Sequence, residues 1–176
     1  MRKLKNEELN RLSVEEYKSV EKSSLILILD NIRSLNNIGS VFRTADAFRI
    51  KKIFLCGITA KPPHRDIQKT ALGATDSVEW EHAENTIEVI QKLQKEDVKI
   101  LSIEQAEKST KLQDFDFYAE ETYAMVFGHE VKGVQQEVVN QSNTVIEIPQ
   151  FGTKHSFNIS VSVGICCWRY YEKVYL

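Results

Sequence analysis

Cysteine, proline and glycine are all scarce in this chain of 176 residues, at three, three and seven. Cys56, Cys166 and Cys167 are odd in number, two are adjacent, and all lie in apolar surroundings. That argues against a disulfide framework and against a zinc site. They read instead as small buried hydrophobes in a reducing compartment. His64, His82, His129 and His155 show no ligand spacing, so no metal is expected. An excess of charge of one sign is also missing, with a formal net charge of −2 and a pI near 6.1. Nucleic-acid contact therefore requires a local basic patch, or patches joined by oligomerisation. No apolar run approaches the roughly 20 residues of a membrane span. Met1-Arg2-Lys3-Leu4-Lys5 is followed by no apolar stretch of a signal peptide, so a cytoplasmic protein without a membrane partner is expected. Neither a Walker phosphate loop nor a dinucleotide fingerprint follows the first apolar run.

What is present is alternation of strand and helix patterns. Residues 1–22 are highly charged, and Ser13 with Glu16 fits a capping box, which predicts a short helical extension before a single domain over 23–176. The continuous apolar run at 25–29 predicts a strand buried on both faces, and further strands are expected at 53–56, 98–103, 123–127 and 144–148, with a short one at 77–81. Helical periodicity follows from Asn37, over 64–72, around 86–93 and 134–139, and from Ser156 to about Tyr171. The polar stretch 104–116 reads as loop or weak helix. Such alternation predicts a three-layer α/β/α domain with a mostly parallel sheet.

Three polar segments each follow an apolar strand pattern: 37–45, 128–133 and 156–160. Open α/β sheets bind ligands at the carboxyl ends of their strands, so the three are expected to converge on one site. Asn36 or Asn37 suits the cap of the first helix. Gly39 and Arg43 lie four apart on one helical face, which would let a substrate backbone approach the guanidinium. Arginine matches phosphate geometry, and the alternative is a solvent-facing side chain on an amphipathic helix. Glu130, between Gly128 and Gly133, is either a ligand acceptor or a charge near a helix N-terminus. Ser156, Ser160 and Gly164 recur every four residues, a narrow face for close packing. Ser156 and Asn158 both offer polar groups at the helix start, more than capping alone requires.

Asn37-x-Gly39-x-x-x-Arg43-Thr44-Ala45, Phe127-Gly128-x-Glu130-x-x-Gly133, Ile148-Pro149 and Ser156-Phe157-Asn158-Ile159-Ser160 together resemble the three ordered motifs of the SpoU/TrmH family. That family belongs to the SPOUT class of RNA methyltransferases, and the resemblance covers about residues 24–172. It implies a deep trefoil knot in the C-terminal portion and a homodimer. It also implies methyl transfer from S-adenosylmethionine to a ribose 2′-hydroxyl of tRNA or rRNA, with no metal.

Carried over by position, the resemblance makes Arg43 the catalytic arginine and Asn37 its supporting residue. Glu130, Ser156 and Asn158 shape the site, while Gly128, Ile148, Phe157 and Ile103 hold the cofactor, largely through backbone groups. Phe157 stands where the family usually has leucine, so the pocket wall differs there. Lys61, Arg65 and Lys154 are candidate RNA phosphate contacts together with Arg43. A non-catalytic RNA-binding or assembly factor on the same fold is the alternative.

Overall fold

The apolar runs become strands, and the central ones, over 25–30 and 123–127, are buried on both faces. The computed structural model describes residues 1–176 and contains, among the described residues, seven strands. They are β1 (Leu25–Asp30), β2 (Lys52–Cys56), β3 (Trp80–Ala83), β4 (Lys99–Ile103), β5 (Thr110–Lys111), β6 (Tyr123–Phe127) and β7 (Thr144–Glu147). One sheet holds them in the order β3-β2-β1-β6-β4-β7-β5, every neighbouring pair parallel. Successive strand side chains point to opposite faces. Leu25, Leu27 and Leu29 enter one core with Ile53, Leu55 and Met125, while Ile26 and Ile28 enter the other with Phe54, Ala124 and Val126. Both faces being apolar, the two-residue alternation of a half-exposed strand is absent.

The helices are α1 (Val14–Ser19), α2 (Leu35–Ala47), α3 (Arg65–Ala71), α4 (Ala74–Ser77), α5 (Thr86–Lys95), α6 (Gln136–Gln141) and α7 (Ile159–Val174). Ile38, Val41 and Phe42 of α2, Ile67 of α3 and Val163, Cys166 and Tyr170 of α7 pack on the first face. Val89, Ile90 and Leu93 of α5 and Val138 of α6 cover the second. The result is the expected three-layer architecture. Ser13 and Glu16 form the capping box of α1, the Ser13 amide donating to the Glu16 carboxylate at 2.7 Å. Tyr17, buried beneath α2, anchors this helix. Burial pushes the Cys56 and Cys167 thiols up to about 12, which leaves them protonated and inert. No helix is long and apolar enough to cross a membrane.

Several boundaries differ from the pattern. The strand expected over 77–81 is instead the end of α4 followed by β3, because the Ser77 hydroxyl bonds back to the Ala74 carbonyl at 3.2 Å and completes a helical turn. The stretch 104–116 contains β5 and a 3-10 turn at Leu112–Asp114. Ser34, rather than Asn36 or Asn37, caps α2, its hydroxyl accepting from the Asn37 amide at 3.3 Å. The last helix begins at Ile159, three residues after Ser156, and continues to Val174.

Two features of the sheet position the site. β1 and β6 are neighbours whose chains depart in opposite directions, the arrangement that opens a crevice at the carboxyl edge. β4 and β5, consecutive in sequence, are separated by β7, and Ile103 and Thr110 both lie level with Ile146. Residues 104–109 therefore arch across the carboxyl end of β7, and the chain leaving β7 for α7 runs past that arch.

Candidate active site

At the carboxyl edge of the sheet lies a cleft of about 1260 Å³, walled by residues 103–108 at the end of β4 and along the arch, 127–134 after β6, one side of α6, and Ile148, Gln150 and 155–159 between β7 and α7. Ile103, Phe127, Val134, Val145, Ile148 and Ile159 give it an apolar lining, while Glu104, Glu107 and Glu130 place three carboxylates on it. Among the described residues no group of three His, Cys, Asp or Glu side chains is placed to hold a metal.

The 128–133 loop closes on itself. The amides of His129 and Gly133 each donate to the other's carbonyl, at 3.0 and 2.8 Å. The His129 Nδ1 accepts from the Val131 and Lys132 amides at 3.0 and 3.3 Å. A Cβ on Gly128 would stand 2.1 Å from the Gly133 carbonyl carbon and the Val134 nitrogen, so only glycine lets the two ends of this loop touch.

Glu130 leaves that loop to cap the neighbouring helix. Its carboxylate accepts from the Arg33 and Ser34 amides, at 3.1 and 2.9 Å, and from the Asn37 side chain at 3.4 Å. Burial works against its charge. The Ser34 and Arg33 amides and the Asn37 amide group outweigh that effect and hold the carboxyl below its ordinary range. A carboxylate at the start of α2 also meets the positive end of the helix dipole. Glu130 is thus a charge near a helix N-terminus, of the two roles its sequence position left open.

Asn37 turns its other atom across the cleft lip. Its Oδ1 accepts from the Asn158 Nδ2 at 3.1 Å, and the Asn158 Oδ1 caps α7 by accepting from the Ser160 amide at 2.9 Å. One chain of hydrogen bonds therefore runs from Glu130 through Asn37 to Asn158 and joins all three polar segments.

Gly39 contradicts the role its helical wheel suggests. It is buried, and a Cβ there would lie 2.1 Å from the Thr70 hydroxyl and 2.3 Å from the Ile67 carbonyl. It is the close crossing of α2 over α3, so no substrate backbone reaches that face. Arg43 stands one turn further on, exposed, with no hydrogen-bond or ion-pair partner among the described residues, and it is not part of the cleft wall. Ser156 and Phe157, like Gly128, Ile103 and Ile148, are on the wall, with Phe157 40% exposed. Lys61 and Arg65 lie on the segment after β2, away from the wall. Lys154 is exposed in the 148–158 loop. Gly164 faces open space, while Ser156 precedes α7 on the cleft wall and Ser160 bonds the Asn158 side chain, so the three do not form one packing stripe within the chain.

Two further residues lie on the wall, and a third braces it from beneath. Glu104 and Gln105 begin the arch and face the cleft. Asp30 is fully buried at the end of β1, where it accepts from the Thr86 hydroxyl at 2.6 Å and the Gln135 side chain at 2.8 Å, fixing the end of the 128–135 segment. The available signal is position: Asp30 closes an apolar strand and Glu104 and Gln105 come just after one, at the edge where the motif loops lie.

Solved structures share this fold. The A. aeolicus TrmH/SpoU tRNA modifying enzyme superposes with a TM-score of 0.81 at 22% identity, over 91% of this chain and 80% of that one. The AdoMet-bound rRNA methyltransferase from Sinorhizobium meliloti does so with a TM-score of 0.80 at 23% identity, over 89% of this chain and 59% of that one. In sequence, the chain is 30% identical over 152 residues to the 23S rRNA (guanosine-2'-O-)-methyltransferase RlmB of Coxiella burnetii, covering 86% of this chain. It spans about 60% of the length of that relative. The family model described as SpoU rRNA Methylase matches residues 24–168, which include the arch, the 128–133 loop and the Asn37–Asn158 bridge. By that match, and with the fold to accompany it, the chain belongs to the SpoU rRNA methylase family.

Proposed function

We propose that this chain transfers a methyl group from S-adenosylmethionine to a ribose 2′-hydroxyl of tRNA or rRNA. The observation that carries this reading is the Glu130–Asn37–Asn158 bridge, which ties the helix bearing Arg43 to both loops of the cleft. The printed activity of the RlmB relative, 23S rRNA guanosine 2′-O-methylation, supports it, as does the AdoMet-bound neighbour. The cleft suits that cofactor: its volume takes a nucleoside joined to an amino acid, its apolar lining suits an adenine ring, and its acidic wall, with Glu107 free of the bonds that hold Glu104 and Glu130, suits sulfonium and ammonium charges. Bound there, S-adenosylmethionine supplies a methyl group activated by the positive sulfur. Gly128, Ile148, Phe157 and Ile103 would hold it.

The protein's own contribution is positioning and electrostatics. A ribose hydroxyl is a weak nucleophile and must shed its proton as it attacks. Arginine is a donor only, so Arg43 is no base. Its role is to grip a neighbouring phosphate and stabilise negative charge developing on the attacking oxygen, while the phosphate helps remove the proton. Glu130 is committed to three donors of α2 and its approach loop, so it acts as a support. Asn37 and Asn158 set the angle between the helices that carry substrate and cofactor contacts. Alignment of this kind supplies much of the rate in an in-line transfer. Ser156, on the wall beside them, offers a hydroxyl toward the same space.

Exposed Lys61, Arg65 and Lys154, none with an ion-pair partner among the described residues, are assigned to RNA phosphates. A homodimer is supported by α7, where Val161 and Trp168 are exposed beside Gly164 and its open space. The sheet order that inserts β7 between β4 and β5 supports a knotted C-terminal segment.

The test is methylation of total RNA by the purified protein with labelled S-adenosylmethionine, followed by mapping of ribose 2′-O-methyl marks. Wild type should deposit the mark, and Arg43→Ala should slow it by about 10²–10³-fold. A near wild-type rate in Arg43→Ala removes Arg43 from catalysis. Wild type that binds RNA but neither binds cofactor nor deposits a mark favours the non-catalytic RNA-binding factor.

A further inference from the structure

Two adjacent side chains at the start of the arch reach in different directions. The Glu104 carboxylate accepts from the Val134 amide at 2.9 Å and from the Gln105 amide at 2.8 Å. The Gln105 side-chain amide donates to the His155 carbonyl at 2.6 Å. These bonds cross 30 and 50 residues of sequence, and they link the arch to the 128–134 loop and to the 148–158 loop. Both ends of each bond lie on the cleft wall. The 128–134 loop is shaped to admit the carboxylate. Gly133 has a φ of +70°, and a Cβ on it would stand 2.1 Å from the Glu104 Oε2. Glycine is needed there both for the backbone angle and to leave room for Glu104.

The far end of the arch is secured independently, by the Ser109 hydroxyl and the Lys111 ammonium on the Glu147 carboxylate at 2.6 and 2.7 Å. At the near end, apart from the Glu104 amide bonding the Ile146 carbonyl at 3.0 Å, the ties across the cleft are the side chains of Glu104 and Gln105. We propose that Glu104 and Gln105 are positioning residues that set cofactor affinity, clasping the arch against both loops that face it. The inference rests on the methyltransferase reading and concerns residues outside the three motifs. Removing the clasp leaves the other cleft-lining residues present but lets three wall segments move apart, so affinity falls while the fold persists.

The experiment is calorimetric titration of S-adenosylhomocysteine into wild type, Gln105→Ala, Glu104→Gln and the double variant, with thermal midpoints measured alongside. In Glu104→Gln the single carboxamide oxygen leaves one of the two amides without its acceptor. Ser23→Ala is the control, because it deletes a side-chain-to-backbone bond of 3.2 Å to the Arg49 carbonyl at the opposite edge of the sheet. Each clasp variant should bind about tenfold more weakly, the scale of one lost hydrogen bond. Ser23→Ala should lower the midpoint with unchanged affinity. Hydrogen exchange of the unliganded protein should show a faster Val134 or Gln105 amide in Glu104→Gln. Clasp variants that bind like wild type, whatever their midpoints, overturn the proposal. Failure of wild type to bind overturns the methyltransferase reading and the clasp with it.

Discussion

Replacing Gly39 by alanine separates a packing role from a substrate role at one atom. The added methyl would lie 2.1 Å from the Thr70 Oγ1, 2.3 Å from the Ile67 carbonyl oxygen and 3.0 Å from the Ala71 nitrogen. Thr70 can rotate away, at the cost of its bond to the Asn36 carbonyl at 3.0 Å, worth about 1 kcal/mol. Ile67 and Ala71 present backbone, so α2 and α3 must separate. Alanine recovers about 1 kcal/mol over glycine inside a helix, which offsets the lost Thr70 bond. What remains is overpacking, typically about 1–3 kcal/mol. In a domain of this size each kcal/mol moves the melting midpoint by about 2–4 °C, so Gly39→Ala should melt roughly 2–12 °C below wild type. Circular dichroism melts with urea titrations at matched pH measure this. A variant as stable as wild type that has nevertheless lost RNA methylation would refute the packing assignment and return Gly39 to the substrate surface.

Other outcomes follow from the same contacts. The Glu130 carboxyl is held below its ordinary value of 4.5, so its stabilisation is complete above that pH and is lost as pH falls through the folded-state value. The stability difference between wild type and Glu130→Gln, followed by urea midpoint from about pH 6 down to about pH 3, should therefore shrink, and a constant difference would contradict the cap. Asn158→Ser should keep the α7 cap, and so remain within about 1 kcal/mol of wild type, yet lose the bridge to Asn37 and slow methylation. Equal loss of stability in Asn158→Ser and Asn158→Ala would mean that the cap fails too. Neutralising Lys61, Arg65 and Lys154 together should weaken RNA binding and flatten log affinity against log salt by up to about 2, near 0.7 per single-strand phosphate contact. An unchanged slope would place these charges off the RNA path.

The strands with continuous apolar runs were legible because burial on both faces demands it of every residue, as in Leu25 to Leu29. β5 was not, since its two residues are held by Ile146 and Glu147, more than thirty positions later, rather than by their own character. Asn37 and Asn158 stood out as polar residues opening helices, but their hydrogen bond spans 121 positions and follows only from the topology. Ser34, Asn36 and Asn37 are all small polar residues able to cap α2, and their sequence does not rank them. Glu130, from another loop, takes the Arg33 and Ser34 amides and so settles where the helix starts. Gly39 was misread for a related reason. A helical wheel sorts residues onto faces but does not say which face a separate segment, here α3, will cover.

The arch over β7 also dictates an order of events as the chain is made. β5 pairs with β7, and the arch takes its remaining ties from Glu147, Val134 and His155. When residues 104–111 leave the ribosome none of those partners yet exists, whereas β1, β2 and β3 already have one another. The N-terminal half can thus take shape during synthesis, while the cleft wall waits for the final third of the polypeptide. A nascent or truncated chain ending before β7 would carry α2 but no closed cleft beside it.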